Sequence, residues 1–128
     1  MSLPSNYKYT KDHEWVLLEG DTATVGITEF AQSELGELVF VDIPSAGKSF
    51  KQGETFCVVE STKAASDVYA PISGTVQSAN QSLSSQPTLI NSAPYTDGWI
   101  AKLTGVSAAE VESLLSSTQY EELLANKR

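Results

Sequence analysis

Short apolar runs rich in β-branched residues, each ended by glycine, proline or a polar turn, recur along most of this chain. Such runs are typical of strands and indicate a mainly β fold. The polar turn at residues 19–21 predicts a hairpin, and Pro44, Gly47 and Gly53 separate two later strands. The predicted strands cover residues 15–18, 22–27, 39–43 and 55–59.

One short helix is predicted between the second and third of these strands. Thr28 can cap a helix that runs from residue 29 to about residue 35. Gly36 follows, and glycine commonly ends a helix because it adopts a left-handed backbone without strain. The chain therefore combines a β body with a small internal helix.

The last 22 residues have a different pattern, which predicts C-terminal helices. Ser107 and Glu110 have capping-box spacing, and Thr118 with Glu121 repeats it. Apolar residues follow both signals at helical spacing, and we expect them to pack against the β body rather than to form a groove for a partner. These residues are Val111, Leu114, Leu115, Leu123 and Leu124.

Length and charge narrow the class of protein. A chain of 128 residues is enough for one domain and too short for an additional catalytic domain. Lysine and arginine total 8 against 16 acidic residues, and the formal charge of −8 argues against nucleic-acid binding, which needs clustered basic residues. An acidic chain favours partners with basic docking surfaces.

Cysteine content and hydropathy bear on compartment. Cys57 is the only cysteine, so an internal disulfide is excluded, and its apolar surroundings predict a buried small hydrophobe rather than a reactive thiol. The apolar run at residues 38–41 is far shorter than a membrane span. No cationic, apolar leader precedes Tyr7, so we expect a bacterial cytoplasmic protein or a processed form in the mitochondrial matrix.

Lys63 is the main candidate for chemistry. It lies in a polar stretch between the apolar run at residues 56–59 and a second predicted strand at residues 68–76, which Pro71 and Gly74 interrupt. A lysine in a polar turn is usually a solvated charge. An exposed, flexible amine at a hairpin tip is also a place where a group can be attached.

The sequence around Lys63 resembles a known attachment segment. Residues 60–67 (ESTKAASD), followed by residues 69–74 (YAPISG), resemble the lipoyl-attachment segment of the glycine cleavage system H-protein family. In that family the lysine matching Lys63 carries lipoate in amide linkage. Thr62 stands where valine is expected, and both are β-branched. Other blocks that resemble the family lie at residues 9–16, 25–32, 35–41 and 87–95, with Gly98 and Trp99.

The resemblance implies a fold and a domain layout. It covers the chain from about Tyr7 to Leu124 and implies a quasi-symmetric, flattened β-barrel or sandwich of the lipoyl and biotinyl carrier type. A single domain over residues 1–128 is expected, with its barrel core at about 7–104 and a helical segment at about 107–125. Pro44-x-x-Gly47 recurs 27 residues later as Pro71-x-x-Gly74, a faint internal repeat that fits two similar halves.

The implied function is that of a carrier without catalytic activity. Its arm would take an aminomethyl group from glycine decarboxylase to a tetrahydrofolate-dependent aminomethyltransferase and deliver the reduced arm to dihydrolipoyl dehydrogenase. An enzyme that installs lipoate is a further implied partner, and a monomer is expected. Lipoate on Lys63 is the implied cofactor, whereas pyridoxal phosphate, folate and flavin belong to the partners.

Three further residues are weighed for the site. By resemblance, the glutamate matching Glu14 holds the amine of the loaded arm, although an acid between His13 and Trp15 would otherwise be read as an ordinary surface residue. Asp67 is a weaker candidate for arm binding, with a turn-stabilising role as the alternative. His13 has no second histidine or cysteine at ligand spacing, so we expect a structural or cleft-lining role and no metal site.

Four alternative functions are weighed against the carrier of glycine cleavage. A biotinyl carrier usually has methionine on both sides of its lysine, whereas Thr62 and Ala64 flank Lys63. A lipoyl domain of a 2-oxoacid dehydrogenase would continue into a linker and a catalytic domain. A relay protein for lipoyl or octanoyl groups would use the same lysine. A Schiff-base enzyme needs a lysine that is desolvated or beside another cation, whereas the charged residues nearest to Lys63 in sequence are the acids Glu60 and Asp67.

Overall fold

The computed structural model describes residues 6–126, where the chain forms nine strands and five short helices. The strands are β1 (Lys8–Tyr9), β2 (Glu14–Glu19), β3 (Thr22–Ile27), β4 (Leu38–Asp42), β5 (Ser49–Phe50), β6 (Thr55–Ser61), β7 (Ala65–Tyr69), β8 (Gly74–Ala79) and β9 (Ala101–Thr104). The helices are α1 (Glu29–Leu35), α2 (Ser82–Ser85), α3 (Leu89–Ser92), α4 (Ala108–Glu112) and α5 (Ser117–Asn126).

The strands form two antiparallel sheets that pack as a sandwich. One sheet has the order β1-β2-β3-β9-β8-β5, and the other has the order β4-β6-β7. The predicted mainly β sandwich with a short internal helix and C-terminal helices is confirmed. The domain limits stay a prediction, because residues 1–5 and 127–128 lie outside the described residues.

The main core lies between the two sheets. The six-stranded sheet contributes side chains such as Val25 and Leu103, and the three-stranded sheet contributes Leu38 and Val59. A second apolar cluster lies beneath α5, where Tyr9, Trp15, Tyr120 and Leu124 are buried. The predicted packing of the C-terminal apolar residues is confirmed, since Val111 joins the main core and Leu115 and Leu123 border the second cluster.

Several local predictions are confirmed. β2 and β3 form the predicted hairpin. Thr28 Oγ1 accepts a hydrogen bond from Ala31 N at 3.3 Å and so caps α1. Gly36 ends that helix with a φ of +82°, a conformation that glycine adopts without steric cost. Ser107 caps α4 by accepting from Glu110 N at 3.4 Å, but the Glu110 carboxylate bonds Ser73 instead of completing a capping box.

Two predictions were wrong. Residues 68–76 are not one interrupted strand: β7 ends at Tyr69, β8 begins at Gly74, and they belong to different sheets. Pro71 has no backbone N–H and cannot continue a ladder, so the chain crosses between the sheets there.

The cap of the last helix lies two residues earlier than the predicted Thr118–Glu121 pair. Ser116 Oγ accepts from Gln119 N at 3.2 Å, and Gln119 Oε1 accepts from Ser116 N at 2.9 Å. This is a reciprocal capping box, with glutamine in place of the expected glutamate.

The internal repeat corresponds to a structural repeat. The offset of 27 positions that relates Pro44 to Pro71 also relates β4 to β7. These two strands flank β6 on opposite sides in the three-stranded sheet, and the strands that follow them, β5 and β8, pair with each other in the six-stranded sheet. Each copy therefore crosses from one sheet to the other at a proline.

We predict that Gly98→Ala destabilises the fold by about 2 to 3 kcal/mol, because the added methyl group overpacks a buried turn. A Cβ there would lie 2.7 Å from both Ile90 Cα and Leu89 O, and backbone atoms cannot move aside cheaply. Urea unfolding at fixed pH measures the change. Ser84→Ala on the exposed face of α2 is the control and should stay within about 0.5 kcal/mol of the parent. Equal stability of both variants would contradict the close approach at Gly98.

Candidate functional site

Lys63 lies in the turn that joins β6 to β7, and its side chain is exposed. Ser61 orders this turn: its Oγ accepts hydrogen bonds from Lys63 N at 3.1 Å and Ala64 N at 3.2 Å. Ser61 N also donates to Ala64 O at 2.8 Å. The backbone of the tip is therefore fixed while the amine remains accessible.

The Lys63 side chain docks against the C-terminal end of α1. Its Nζ donates to Glu34 O at 3.2 Å, where the unpaired carbonyls of a helix end attract positive charge. Gly36 makes room for this contact, since a Cβ there would lie 3.2 Å from Lys63 Cε. Thr62 N donates to Glu37 O at 3.3 Å and ties the hairpin to the same connection.

Asn91 holds that connection in place from the other side. Its Nδ2 donates to Gly36 O at 2.8 Å and to Gln32 Oε1 at 2.9 Å. Its Oδ1 accepts from Leu38 N at 2.9 Å, at the start of β4. No local sequence pattern indicates a role for Asn91, because its partners lie more than 50 positions away.

A trough of about 450 Å³ is lined in part by Glu34, the residue whose backbone carbonyl accepts from the Lys63 amine; we call it the α1 trough. Ser66 of β7 forms one side of it. The other lining residues come from α1 and from the loop before β2, namely Phe30, Ala31, Glu34, Leu35, Asp12 and His13. The trough is half apolar and half polar in character, which suits an aliphatic chain that ends in a polar group.

A second groove of about 450 Å³ shares Asp12 with the trough; we call it the Glu14 cleft. Glu14 lies in its lining with only 3 % of its surface exposed. The reading of Glu14 as an ordinary surface acid, which the sequence without the resemblance indicates, is therefore wrong. Its other lining residues include Thr10, Tyr69, Pro71, Leu114 and Leu123.

Hydrogen bonds and burial act on the Glu14 carboxyl group in opposite directions. Burial raises its pKa to about 7, because the charged form loses hydration. Thr10 Oγ1 donates to Oε1 at 2.7 Å, and Tyr69 N donates to Oε2 at 3.3 Å, which favours the carboxylate and limits the rise. A carboxylate has about four acceptor positions, so these two donors leave capacity for a further cation.

The remaining candidates have distinct positions. Asp67 is exposed on β7, opposite Val58, and shares a strand face with Tyr69 of the Glu14 cleft. Ser66, rather than Asp67, lines the α1 trough. His13 is confirmed as both structural and trough-lining, since its Nδ1 lies 2.7 Å from the Tyr120 hydroxyl oxygen.

Residues 6–126 give no support for metal-ion or reactive-thiol chemistry. No group of three histidine, cysteine or acidic side chains in this part of the chain could hold a metal ion. Cys57 is buried, and burial raises the pKa of its thiol to about 12, so the predicted inert role is confirmed. None of the helices described is long and apolar enough to cross a membrane.

Comparisons with known proteins agree with this geometry. The profile of the glycine cleavage H-protein family matches residues 7–127. The glycine cleavage system H protein of an Enterobacter species is 52% identical over 127 residues, with 98% of each chain covered. That of Halothermothrix orenii is 48% identical over 124 residues, with 97% of each covered. The crystal structure of the Mycobacterium marinum H protein superposes with a TM-score of 0.87 at 35% identity, over 96% of this chain and 99% of that one.

We predict that Glu14→Gln stabilises the protein at pH 8 by about 2 to 3 kcal/mol and has no such effect at pH 4.5. The pKa of Glu14 is about 7 in the folded chain against 4.5 ordinarily, so the folded state binds the proton more tightly. As pH rises from 4.5 to 7 the unfolded chain loses this proton first, and stability falls. Above pH 7 the folded protein carries the full cost of a buried carboxylate.

The measurement is the difference in unfolding free energy between parent and variant across this pH range. Glu122→Gln, at an exposed position of α5, is the matched control and should give a flat difference. A flat difference for Glu14→Gln as well would show that Glu14 titrates normally.

Proposed function

Because the chain belongs to the glycine cleavage H-protein family, and so is the lipoyl carrier of the glycine cleavage system and not a catalyst, we propose that Lys63 bears its lipoyl group. The observation that carries the proposal is the exposed Lys63 amine on a turn whose backbone Ser61 fixes. A rigid origin with a mobile amine is what a swinging arm requires. We therefore prefer this assignment to the three alternatives of a biotinyl carrier, a lipoyl domain of a 2-oxoacid dehydrogenase and a Schiff-base enzyme.

Acylation would change how Lys63 docks. A free lysine has a pKa of about 10.4 and is a hydrated cation, hence a poor nucleophile, at neutral pH. An attaching enzyme must therefore present lipoate in an activated form. The amide that results has no charge but keeps one N–H. That N–H can still donate to Glu34 O, so the base of the arm would remain at the entrance of the α1 trough.

The length of the arm matches the length of the site. From Cα to the ring, the lysine and lipoyl chains together have about twelve bonds and reach roughly 15 Å. Ala65–Tyr69 rises about 13 Å along β7, from beside Lys63 to the residue that bonds Glu14. An arm lying in the α1 trough can therefore bring its sulfur end towards Asp12 and the Glu14 cleft.

Glu14 is the proposed partner of the aminomethyl group. An S-aminomethyl group decomposes when its nitrogen lone pair expels the thiolate, and protonation of the amine removes that lone pair. A carboxylate beside the amine favours the protonated form. The buried surroundings also limit attack by water. We assign Asp67 a secondary role, as a negative charge on the strand face of Tyr69.

The partners follow from membership in the glycine cleavage system. They are glycine decarboxylase, the aminomethyltransferase and dihydrolipoyl dehydrogenase, and the first of these supplies the aminomethyl group. The formal charge of −8 would steer the carrier to basic surfaces on these enzymes. A monomer in the bacterial cytoplasm, loaded by a lipoate-attaching enzyme, completes the proposal, by analogy with the bacterial relatives. Relay of lipoyl groups to other proteins stays an untested alternative, since it would use the same lysine.

We predict that Lys63→Arg keeps the fold and abolishes lipoylation, because arginine retains the charge and cannot be acylated in this way. Intact mass after incubation with a lipoate ligase measures the change. Lys48→Arg and Lys51→Arg are matched controls on exposed positions and should accept one lipoyl group each. Lipoate on any lysine other than Lys63 in the parent protein would refute the site.

We predict that Glu14→Ala leaves lipoylation of Lys63 intact and shortens the lifetime of the aminomethyl-loaded form by roughly ten- to hundredfold. That range corresponds to one charge-assisted hydrogen bond of about 1.5 to 3 kcal/mol. Formaldehyde release from the loaded protein, without the aminomethyltransferase, reports the lifetime. Glu122→Ala should release it at the parental rate, and an unchanged rate in Glu14→Ala would remove Glu14 from the mechanism.

A further inference from the structure

The hydroxyl group of Tyr120 joins two parts of the α1 trough. Tyr120 lies on α5 and has no exposed surface. Its hydroxyl oxygen lies 2.7 Å from His13 Nδ1 and 2.7 Å from Thr28 Oγ1. These partners are 107 and 92 positions away in sequence, so the C-terminal helix bonds directly to the site.

Each partner of the hydroxyl supports one side of the trough. His13 is itself a lining residue, and its ring packs edge-on against Phe30 at 4.7 Å between centroids. Thr28 caps α1, the helix that contributes four of the seven lining residues. Thr28 N also donates to His13 O at 3.0 Å, so the two partners are already joined through the backbone.

The backbone at His13 is held in an unusual conformation. Its φ is +72°, in the left-handed region that residues other than glycine rarely adopt. Such a conformation persists only where surrounding contacts fix it. Here His13 N donates to Thr10 O at 3.1 Å, His13 O accepts from Thr28, and the ring bonds Tyr120. The side chain is thus presented to the trough by contacts on both its backbone and its ring.

We infer that the Tyr120 hydroxyl group is a positioning group for the loaded arm, holding His13 and the start of α1 at the spacing the arm requires. The inference rests on the proposed function, in which the arm occupies the α1 trough. Tyr120 does not itself line the trough and acts through His13 and Thr28. The C-terminal helix therefore contributes to retention of the aminomethyl group, beyond its packing role.

The hydrogen bonds allow two proton arrangements. In one, Thr28 donates to the Tyr120 oxygen and Tyr120 donates to an unprotonated His13 Nδ1; in the other, both directions reverse. Loss of the hydroxyl removes the hydrogen bond at His13 Nδ1 in either arrangement, which changes the nitrogen-15 signals of the ring.

The Tyr120→Phe variant removes the hydroxyl group and keeps the aromatic ring, so the effects of the two can be told apart. The ring stacks on Tyr9 with centroids 4.9 Å apart and an interplanar angle of 8°, and phenylalanine preserves that packing. Tyr7→Phe is the matched control. It also removes a hydroxyl group from the second apolar cluster, where the Tyr7 hydroxyl donates to Tyr95 O at 2.8 Å, but Tyr7 does not contact the trough residues through that bond.

The experiment compares parent, Tyr120→Phe and Tyr7→Phe in their lipoylated, aminomethyl-loaded forms. Formaldehyde release gives the lifetime of the arm, intact mass gives the extent of lipoylation, and thermal unfolding gives stability. The protein has one histidine, so nitrogen-15 NMR reports the His13 tautomer without ambiguity. We expect Tyr120→Phe to lipoylate fully, to shift the His13 signals and to shorten the lifetime about two- to tenfold. Tyr7→Phe should match the parent in both signals and lifetime.

Each other outcome has a distinct meaning. A parental lifetime in Tyr120→Phe, or an equal shortening in Tyr7→Phe, overturns the positioning role and leaves only a contribution to stability. If the loaded parent itself decays as fast as aminomethyl dihydrolipoamide free in solution, the arm is not sheltered, and the proposed function of the trough fails instead.

Discussion

The Glu14 carboxyl group joins the two sheets at the point where the site is built. Glu14 begins β2 of the six-stranded sheet and accepts a hydrogen bond from Tyr69 N, at the end of β7 in the other sheet. β7 ends there because Pro71 cannot extend its ladder, and Ala70 N turns to Glu54 O instead. The same crossing that closes the sandwich thus places a buried acid next to an open cleft.

In the proposed function, attachment of the arm at Lys63 and its retention in the α1 trough depend on different kinds of local structure. The hairpin tip must be ordered yet exposed. Ser61 achieves this through hydrogen bonds to residues two and three positions away in sequence. The walls of the trough come from distant parts of the chain. Asn91 and Tyr120 do not line it, but their long-range hydrogen bonds to Gly36 and Thr28 hold the two ends of α1. The proposed arm, fixed at one end, could therefore move freely or lie in the trough without any change in the fold of its base.

Local features of this structure could be predicted from the sequence, and long-range ones could not. The β2–β3 hairpin and the Thr28 cap depend on neighbours within a few residues, so turn and capping patterns predicted them. The burial of Glu14 and the roles of Asn91 and Tyr120 depend on partners between 53 and 107 positions away. Lys63 was predicted as the attachment site because an extended block resembled a family, and it stays a prediction, since a turn lysine alone carries little information.

A carboxyl group whose pKa lies near neutrality suits a binding site that alternates between an empty and an occupied state. In the empty cleft burial raises the pKa of Glu14 to about 7, so part of the population is neutral and the cost of a buried charge is reduced. In the proposed function, the charge of an approaching protonated amine favours the carboxylate, so the pKa of Glu14 falls and a proton leaves to solvent. The attraction is then strong only while the cation is present. Under the same proposal, removal of the aminomethyl group restores the weaker, partly protonated state, which favours release of the arm to its next partner.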